Sequence, residues 1–189
     1  MSNPLLYTYR RCPYAMRARM ALLQAGVAYQ AHELTSLRDK PAEMLAMSPK
    51  GTVPVLVLPD AVIEQSLDIM LWALRQHDPL GWLPSADADM ADALDLIAHN
   101  DGPFKQQLDR YKYPGRYAGA DPLAHRSAAA AWLSGLEQQL AGAGWLFGTQ
   151  AGLADMAIAP FVRQFAQTDT DWFEAQDWPG LRNWLNAIV

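Results

Sequence analysis

Residues 53–58 read Val53-Pro54-Val55-Leu56-Val57-Leu58, a very apolar strand-like run whose second residue has no N–H to give to a sheet ladder. Pro54 must therefore be the first residue of the strand or belong to a cis turn leading into it. The Pro59-Asp60 turn that follows makes Ala61 to Glu64 the antiparallel partner of this run. Upstream, the pattern predicts a strand from Leu5 to Tyr9, a helix from Pro13 to Ala25 with Gly26 just past its end, and a strand from Tyr29 to Glu33. A helix over Pro41 to Met47 and another over Leu67 to Gln76 complete the order βαβαββα. Such an order implies a small mixed sheet covered by helices.

Cys12, the single cysteine of the 189 residues, falls between the first strand and the first helix in Cys12-Pro13-Tyr14-Ala15. Pro13 suits the first helical position, where an N–H would have no intrahelical acceptor. Cys12 is then the cap residue, its sulfur near the first-turn N–H groups of Tyr14 and Ala15. These dipoles favour a thiolate and predict a pKa below the ordinary value of about 8.5 if the sulfur is partly exposed. Burial acts in the opposite direction, and a buried, inert thiol is the competing reading. Ala15 stands where a dithiol oxidoreductase would carry its resolving cysteine, so any redox cycle must pass through a mixed disulfide resolved by an external thiol.

One cysteine also excludes a disulfide framework and a Cys-rich metal site. His32, His77, His99 and His125 are far apart in sequence and form no ligand motif, so no metal is expected. The chain is acidic as a whole, with a formal charge of −5, yet residues 1–50 hold seven Lys/Arg against three Asp/Glu. Arg10, Arg11, Arg17, Arg19, Arg38, Lys40 and Lys50 could therefore raise the local anion concentration around Cys12. Arg17 and Arg19 are two apart on a helix and point in different directions. The basic residues do not interleave with aromatics in a nucleic-acid motif. No apolar run approaches a membrane span, and no basic segment followed by a signal-peptide core opens the chain. The expectation is a cytoplasmic protein that binds neither nucleic acid nor membrane.

Four spaced motifs together resemble the glutathione transferase family, in particular its bacterial cysteine-type and omega-like members. Cys12-Pro13-Tyr14-Ala15 is similar to their cysteine-containing turn, and Thr52-Val53-Pro54-Val55-Leu56 to the segment through their cis-proline. Gln65-Ser66 falls where the family usually carries Glu-Ser. Lys40, before Pro41, matches the lysine near the ligand's glycyl carboxylate. The resemblance implies a thioredoxin-like N-terminal domain over residues 1–78 that binds glutathione as cosubstrate. Cys12 would be its catalytic residue, with Tyr14, Lys40, Val53, Pro54, Gln65 and Ser66 as its binding residues. From the residues themselves, Gln65-Ser66 offers an amide, a hydroxyl and helix N–H groups to a carboxylate, although Ser66 could equally be a plain helix cap. A neutral Gln65 gives up the ion pair that a glutamate makes with an ammonium group. Tyr7 and Tyr14 keep conventional conjugation open beside thiol exchange.

The helical pattern breaks at His77-Asp78-Pro79-Leu80-Gly81-Trp82-Leu83-Pro84. Beyond it, residues 85–189 read as all-helical: Ser85 as an N-cap for a helix to about His99, a break or kink at Asn100-Asp101-Gly102-Pro103, and helix resuming over Phe104 to Tyr111. Asp121-Pro122 introduces a long helix from Leu123 to Leu140, with clear helical segments again at Leu153 to Phe165 and Leu181 to Ile188. Gly152 and Asp155 resemble the family's capping segment before a buried helix; Asp155 is assigned to folding, accepting the Gly152 N–H. The expected activity is that of a glutathione-dependent thiol transferase or glutathione transferase acting through a mixed disulfide at Cys12, on an unidentified small electrophile or disulfide. The alternative is a non-enzymatic module of the same fold that binds a protein or ligand. The resemblance also implies a homodimer.

Overall fold

A computed structural model describes residues 3–188. The chain divides into two compact units, one through Leu83 and one from Pro84 on. The first holds β1 (Leu5–Thr8), α1 (Pro13–Gln24), β2 (Gln30–Glu33), α2 (Ala42–Met47), β3 (Val55–Val57), β4 (Val62–Ile63) and α3 (Ser66–Gln76). Its sheet runs β2-β1-β3-β4, with β1 and β2 parallel and the other pairs antiparallel. This is the thioredoxin-like arrangement. Alternation along β1 divides the core into two layers. Tyr7 joins Leu34, Met44, Val53 and Val55 in one cluster, while Leu6 and Leu56 are buried on the other face. The buried residues of α1 include Ala15, Ala18, Ala21 and Leu22, and those of α3 include Ile69, Met70, Ala73 and Leu74. The small alanines let α1 and α3 pack closely side by side.

The strand register gathers one end of this sheet. Tyr7 pairs with Val55, so the residues after β1 and those before β3 emerge together. β2 is parallel to β1, so its C-terminal exit is at the same end, and β4, antiparallel to β3, delivers Ser66 and α3 there as well. Pro54 precedes the paired residues of β3, and the Val53–Pro54 peptide is cis. Gly26 follows α1 with φ +67°, the left-handed position that ends many helices.

The second unit is all helix: α4 (Asp87–His99), α5 (Lys105–Lys112), α6 (Pro122–Ala143), α7 (Leu153–Ala166), α8 (Thr170–Glu174) and α9 (Pro179–Ile188). α7 is its centre, with twelve buried residues among its fourteen. Two local expectations need correction. Ser85 is not the cap of α4; Ala86 holds that position without any side-chain cap bond. Of the break or kink expected at Asn100 to Pro103, the break does not occur: Asn100–Phe104 form a turn of π-helix running directly into α5. Pro103 lacks an N–H and its ring would clash with the carbonyl four residues back, and widening the helix by a residue per turn relieves both. Phe104 remains buried and packs on Trp132 with ring centroids 4.5 Å apart. The turn expected at Pro114-Gly115 is a 3-10 turn over Pro114–Arg116, and the helical remainder includes the short helix α8. Among the described residues, no helix is long and apolar enough to cross a membrane.

Candidate functional site

Cys12 is the N-cap residue of α1, with Pro13 next and no side-chain cap bond. Its own N–H donates to the Tyr9 carbonyl at 3.0 Å, and its carbonyl accepts the first intrahelical bond from Met16 at 2.9 Å. The preceding loop is pinned from within the helix. The Arg19 guanidinium donates to Thr8 Oγ1 at 2.7 Å and to the Arg10 carbonyl at 3.3 Å, and the Arg10 N–H donates to the Glu33 carboxylate. The half-buried sulfur thus sits on a tethered turn, at the positive end of a three-turn helix dipole.

Across from it lies the segment before β3. The Cys12 thiol makes a long S–H contact to the Val53 carbonyl, with Sγ to oxygen at 3.7 Å, so the two motifs, 41 residues apart, meet. This contact favours the thiol, while the helix N-terminus favours the thiolate. Gly51, two residues before Val53, adopts φ +59°, and a Cβ there would lie 2.9 Å from Leu45 Cδ2 and 3.4 Å from both Cδ and Nζ of Lys40. Only glycine combines that backbone angle with so close a neighbour. Lys40 is thereby laid along the same loop.

The third group stands at the start of α3. Gln65 is its N-cap residue, again without a side-chain cap bond, and its side chain is exposed. Ser66 is buried, with 4% of its surface exposed. Its hydroxyl oxygen accepts a hydrogen bond from Arg17 Nε at 3.0 Å. Arg17 is itself only 1% exposed, and its guanidinium carbon lies 5.1 Å from the centroid of the Tyr14 ring. Glu64, the acid one residue before Gln65, is turned away to accept a hydrogen bond from the buried Ser48 hydroxyl at 2.5 Å. It does not stand in for a glutamate at position 65.

The sequence-predicted residues thus form three pieces at one end of the sheet: Cys12 against Val53-Pro54, Lys40 over Gly51, and Ser66 with Tyr14 through Arg17. Arg17 is the residue whose part the sequence reading missed, having counted it with the surface cations. Its one signal is position, since it lies within the alanine-rich buried face of α1. Tyr7 belongs to the core cluster. Burial, and secondarily the Glu43 carboxylate, push its phenol above the ordinary value, so it is a poor source of phenolate. A shallow cavity of about 210 Å³ beside the loop after β2 is lined by His32, Glu33, Leu34, Thr35, Asp39, Lys40 and Pro41, and it shares Lys40 with the site.

In the second unit, Asp155 serves the fold. Its carboxylate accepts from the Gly152 N–H at 2.9 Å, the Leu146 N–H at 3.0 Å and Trp184 Nε1 at 2.7 Å. Burial pushes its carboxyl above the usual range, against the opposing pull of those donors.

Comparison with known proteins agrees with this geometry. Residues 6–81 match the model of the glutathione S-transferase N-terminal domain and residues 102–187 that of the glutathione S-transferase C-terminal domain. The chain is 27% identical to a maleylacetoacetate isomerase of Pseudomonas aeruginosa over 94% of this chain and 87% of that protein. It is 31% identical to glutathione S-transferase 1 of Dianthus caryophyllus over 83% of this chain and 75% of that protein. A glutathione transferase family member from Pseudomonas fluorescens, solved with two glutathione bound, has the same fold: TM-score 0.83 at 20% identity, covering 98% of this chain and 88% of that one. With both halves matched in order, and with a relative above 30% identity spanned over three quarters of its length, the chain belongs to the glutathione S-transferase family.

Proposed function

We propose that the protein is a glutathione-dependent thiol transferase of the cysteine-type branch, with Cys12 as the nucleophile. The observation that carries this reading is the placement of the chain's single thiol at the N-terminus of α1, in contact with the Val53 carbonyl. An extended, peptide-like thiol entering beside β3 brings a backbone N–H to that carbonyl. Competition for the Val53 oxygen weakens the S–H contact, and the helix N-terminus favours the thiolate. The thiolate attacks the glutathione sulfur of a mixed disulfide R–S–S–G, forming Cys12–S–S–G and releasing RS⁻. A second glutathione thiolate attacks the Cys12-bound glutathione, giving glutathione disulfide and returning the Cys12 thiolate. No second protein thiol is required. In the bound ligand, Ser66 and the first-turn N–H groups of α3 receive the γ-glutamyl carboxylate, Gln65 lies beside its ammonium group, and Lys40 faces the glycyl carboxylate, with Tyr14 beside the sulfur.

The names of the relatives motivate a second reaction class, isomerisation or conjugation with glutathione as the reacting thiol. Purified protein and its Cys12→Ala variant, assayed for disulfide exchange and for conjugation, separate the two. Loss of exchange in the variant, with a single glutathione adduct on the wild type by intact mass, supports the proposal. Full exchange activity in the variant overturns it. Alkylation rates against pH, with and without glutathione analogues lacking the thiol, test whether ligand binding frees the thiolate. If neither glutathione nor its disulfide binds by calorimetry, the protein is a binding module of the family fold. A thiol enzyme that uses glutathione suits a reducing, cytoplasmic setting, and the family reading includes a homodimer. A monomer at micromolar concentration in analytical ultracentrifugation would count against the latter.

A further inference from the structure

Seven residues separate Arg19 from Cys12, nearly two full helical turns. Arg19 therefore leaves α1 on the same side as Cys12, about 10 Å further down the axis. Helical side chains lean toward the N-terminus, and this one reaches back to the loop that carries the cysteine. One terminal nitrogen donates to Thr8 Oγ1 at 2.7 Å and the other to the Arg10 carbonyl at 3.3 Å. The two acceptors flank Tyr9, whose carbonyl takes the Cys12 N–H. Thr8 is the last residue of β1 and is only 1% exposed, so the guanidinium joins the end of a buried strand, the loop and the helix. We infer that Arg19 is a positioning residue for Cys12, bracing the turn so that the sulfur is held at the start of α1 and against Val53. The inference rests on the thiol-exchange reading above and adds to it the residue that holds the nucleophile in place.

The geometry supplies the reason for arginine. Its planar fork holds two acceptors at once from two nitrogens a fixed distance apart, whereas lysine ends in a single nitrogen. Arg19→Lys therefore keeps the charge and gives up the span, and Arg19→Met removes both. Thr8→Val deletes one of the two acceptors with little change of shape, and Thr8→Ser retains it. The Arg10 N–H keeps its bond to the Glu33 carboxylate in all four variants, so the loop is loosened rather than released. Thr8, Arg10 and Arg19 are not among the residues assigned to hold glutathione. A loosened brace thus misplaces the nucleophile without removing a ligand contact, a loss that falls on kcat rather than on KM.

The experiment measures kcat and KM for glutathione-dependent disulfide exchange, the rate of alkylation by iodoacetamide at neutral pH, and stability by chemical denaturation. Cys12 is the chain's only thiol, so alkylation reports one site. The expected result is that Arg19→Met and Arg19→Lys each lower kcat and the alkylation rate about tenfold, with KM for glutathione changed by less than about twofold. Thr8→Val should give part of that loss and Thr8→Ser almost none. Arg19→Met combined with Thr8→Val should be little worse than Arg19→Met alone, because both cut the same brace. If Arg19→Met is too unstable to assay, Arg19→Lys and the two Thr8 variants decide. Wild-type rates in Arg19→Lys would show that charge, not the two-armed brace, matters, and would overturn the inference. So would a fall in stability with kcat and alkylation unchanged, a faster alkylation in the Arg19 variants, a loss confined to KM, or additive losses in the double variant. A wild type that catalyses no exchange overturns the functional reading; the alkylation rates then decide this inference by themselves.

Discussion

Three helices of the second unit begin differently from the two that open at the candidate site of the first. In the second unit, Asp121 accepts from the N–H groups of Leu123 and Ala124 at the start of α6, Asp155 binds the Gly152 N–H at α7, and Asp169 accepts from the Trp172 N–H at α8. In the first unit, α1 starts at Cys12 and α3 at Gln65, and neither cap side chain closes on its own helix. A helix start satisfied by its own aspartate is spent on stability. One whose cap side chain does not close on it keeps its N–H groups and dipole for an anion, whether a thiolate or a carboxylate. Among these five helices the contrast runs between aspartates that hold the fold and starts offered to a ligand by the proposed function; α4, which starts at Ala86 without a cap bond, shows that an uncapped start alone does not mark a site.

Replacing Cys12 by serine tests both sides of that contrast at once. Serine is a far better cap than cysteine, so exchange activity should fall by about three orders of magnitude or more while stability rises by about 0.5–1 kcal/mol. Chemical denaturation alongside the exchange assay checks this, and a variant that is both inactive and less stable would remove the contrast. Asp155→Ala should cost about 2–4 kcal/mol, because three donors lose a buried acceptor together. Its thermal midpoint should fall by roughly 2–4 °C for each kcal/mol. The raised carboxyl of Asp155 also sets a sign. Below the unfolded-state value of about 4 both states are protonated and the group's full contribution is present; as pH rises through the higher folded value, that contribution is lost. Stability measured against pH should therefore decline less steeply above about pH 4 in Asp155→Asn than in the wild type. Asp121→Ala, at an exposed helix start, should cost about 1 kcal/mol with glutathione affinity unchanged. The smallest effect is expected of Gln65→Glu. It restores an acid beside the ligand's ammonium group and should tighten glutathione about two- to fivefold, a gain that added salt should diminish.

Much of this contrast was legible in the chain, because caps and prolines are local signals. Pro13 placed the start of α1, Asp121-Pro122 that of α6, and the three-residue spacing from Gly152 to Asp155 set the cap of α7. Pro54 in its apolar run left two choices, and the structure takes the cis turn before a strand of three residues, Val55–Val57. What the sequence concealed depended on partners distant in the chain. Arg17 looks like any exposed cation on an amphipathic helix until α3 brings Ser66 against it, 49 residues later. Asp155 shows its bond to Gly152 but not those to Leu146 and Trp184. The π turn at Asn100–Phe104 defeats a local reading for another reason: Asn, Gly and Pro together ordinarily stop a helix, and here packing of Phe104 against Trp132 accompanies its continuation.

If Cys12 acts as the thiolate proposed above, its place as the single thiol at a helix start also determines how the protein meets peroxide. Oxidation of the Cys12 thiolate gives a sulfenic acid, and no neighbouring cysteine exists to capture it as an internal disulfide. Its fate would be a race between glutathione, which would return it to the proposed cycle through the mixed disulfide, and further oxidant, which carries it to the sulfinic acid, from which thiols do not recover it. On the proposed mechanism, the cellular glutathione supply would then be at once a substrate and the protector of the Cys12 thiol.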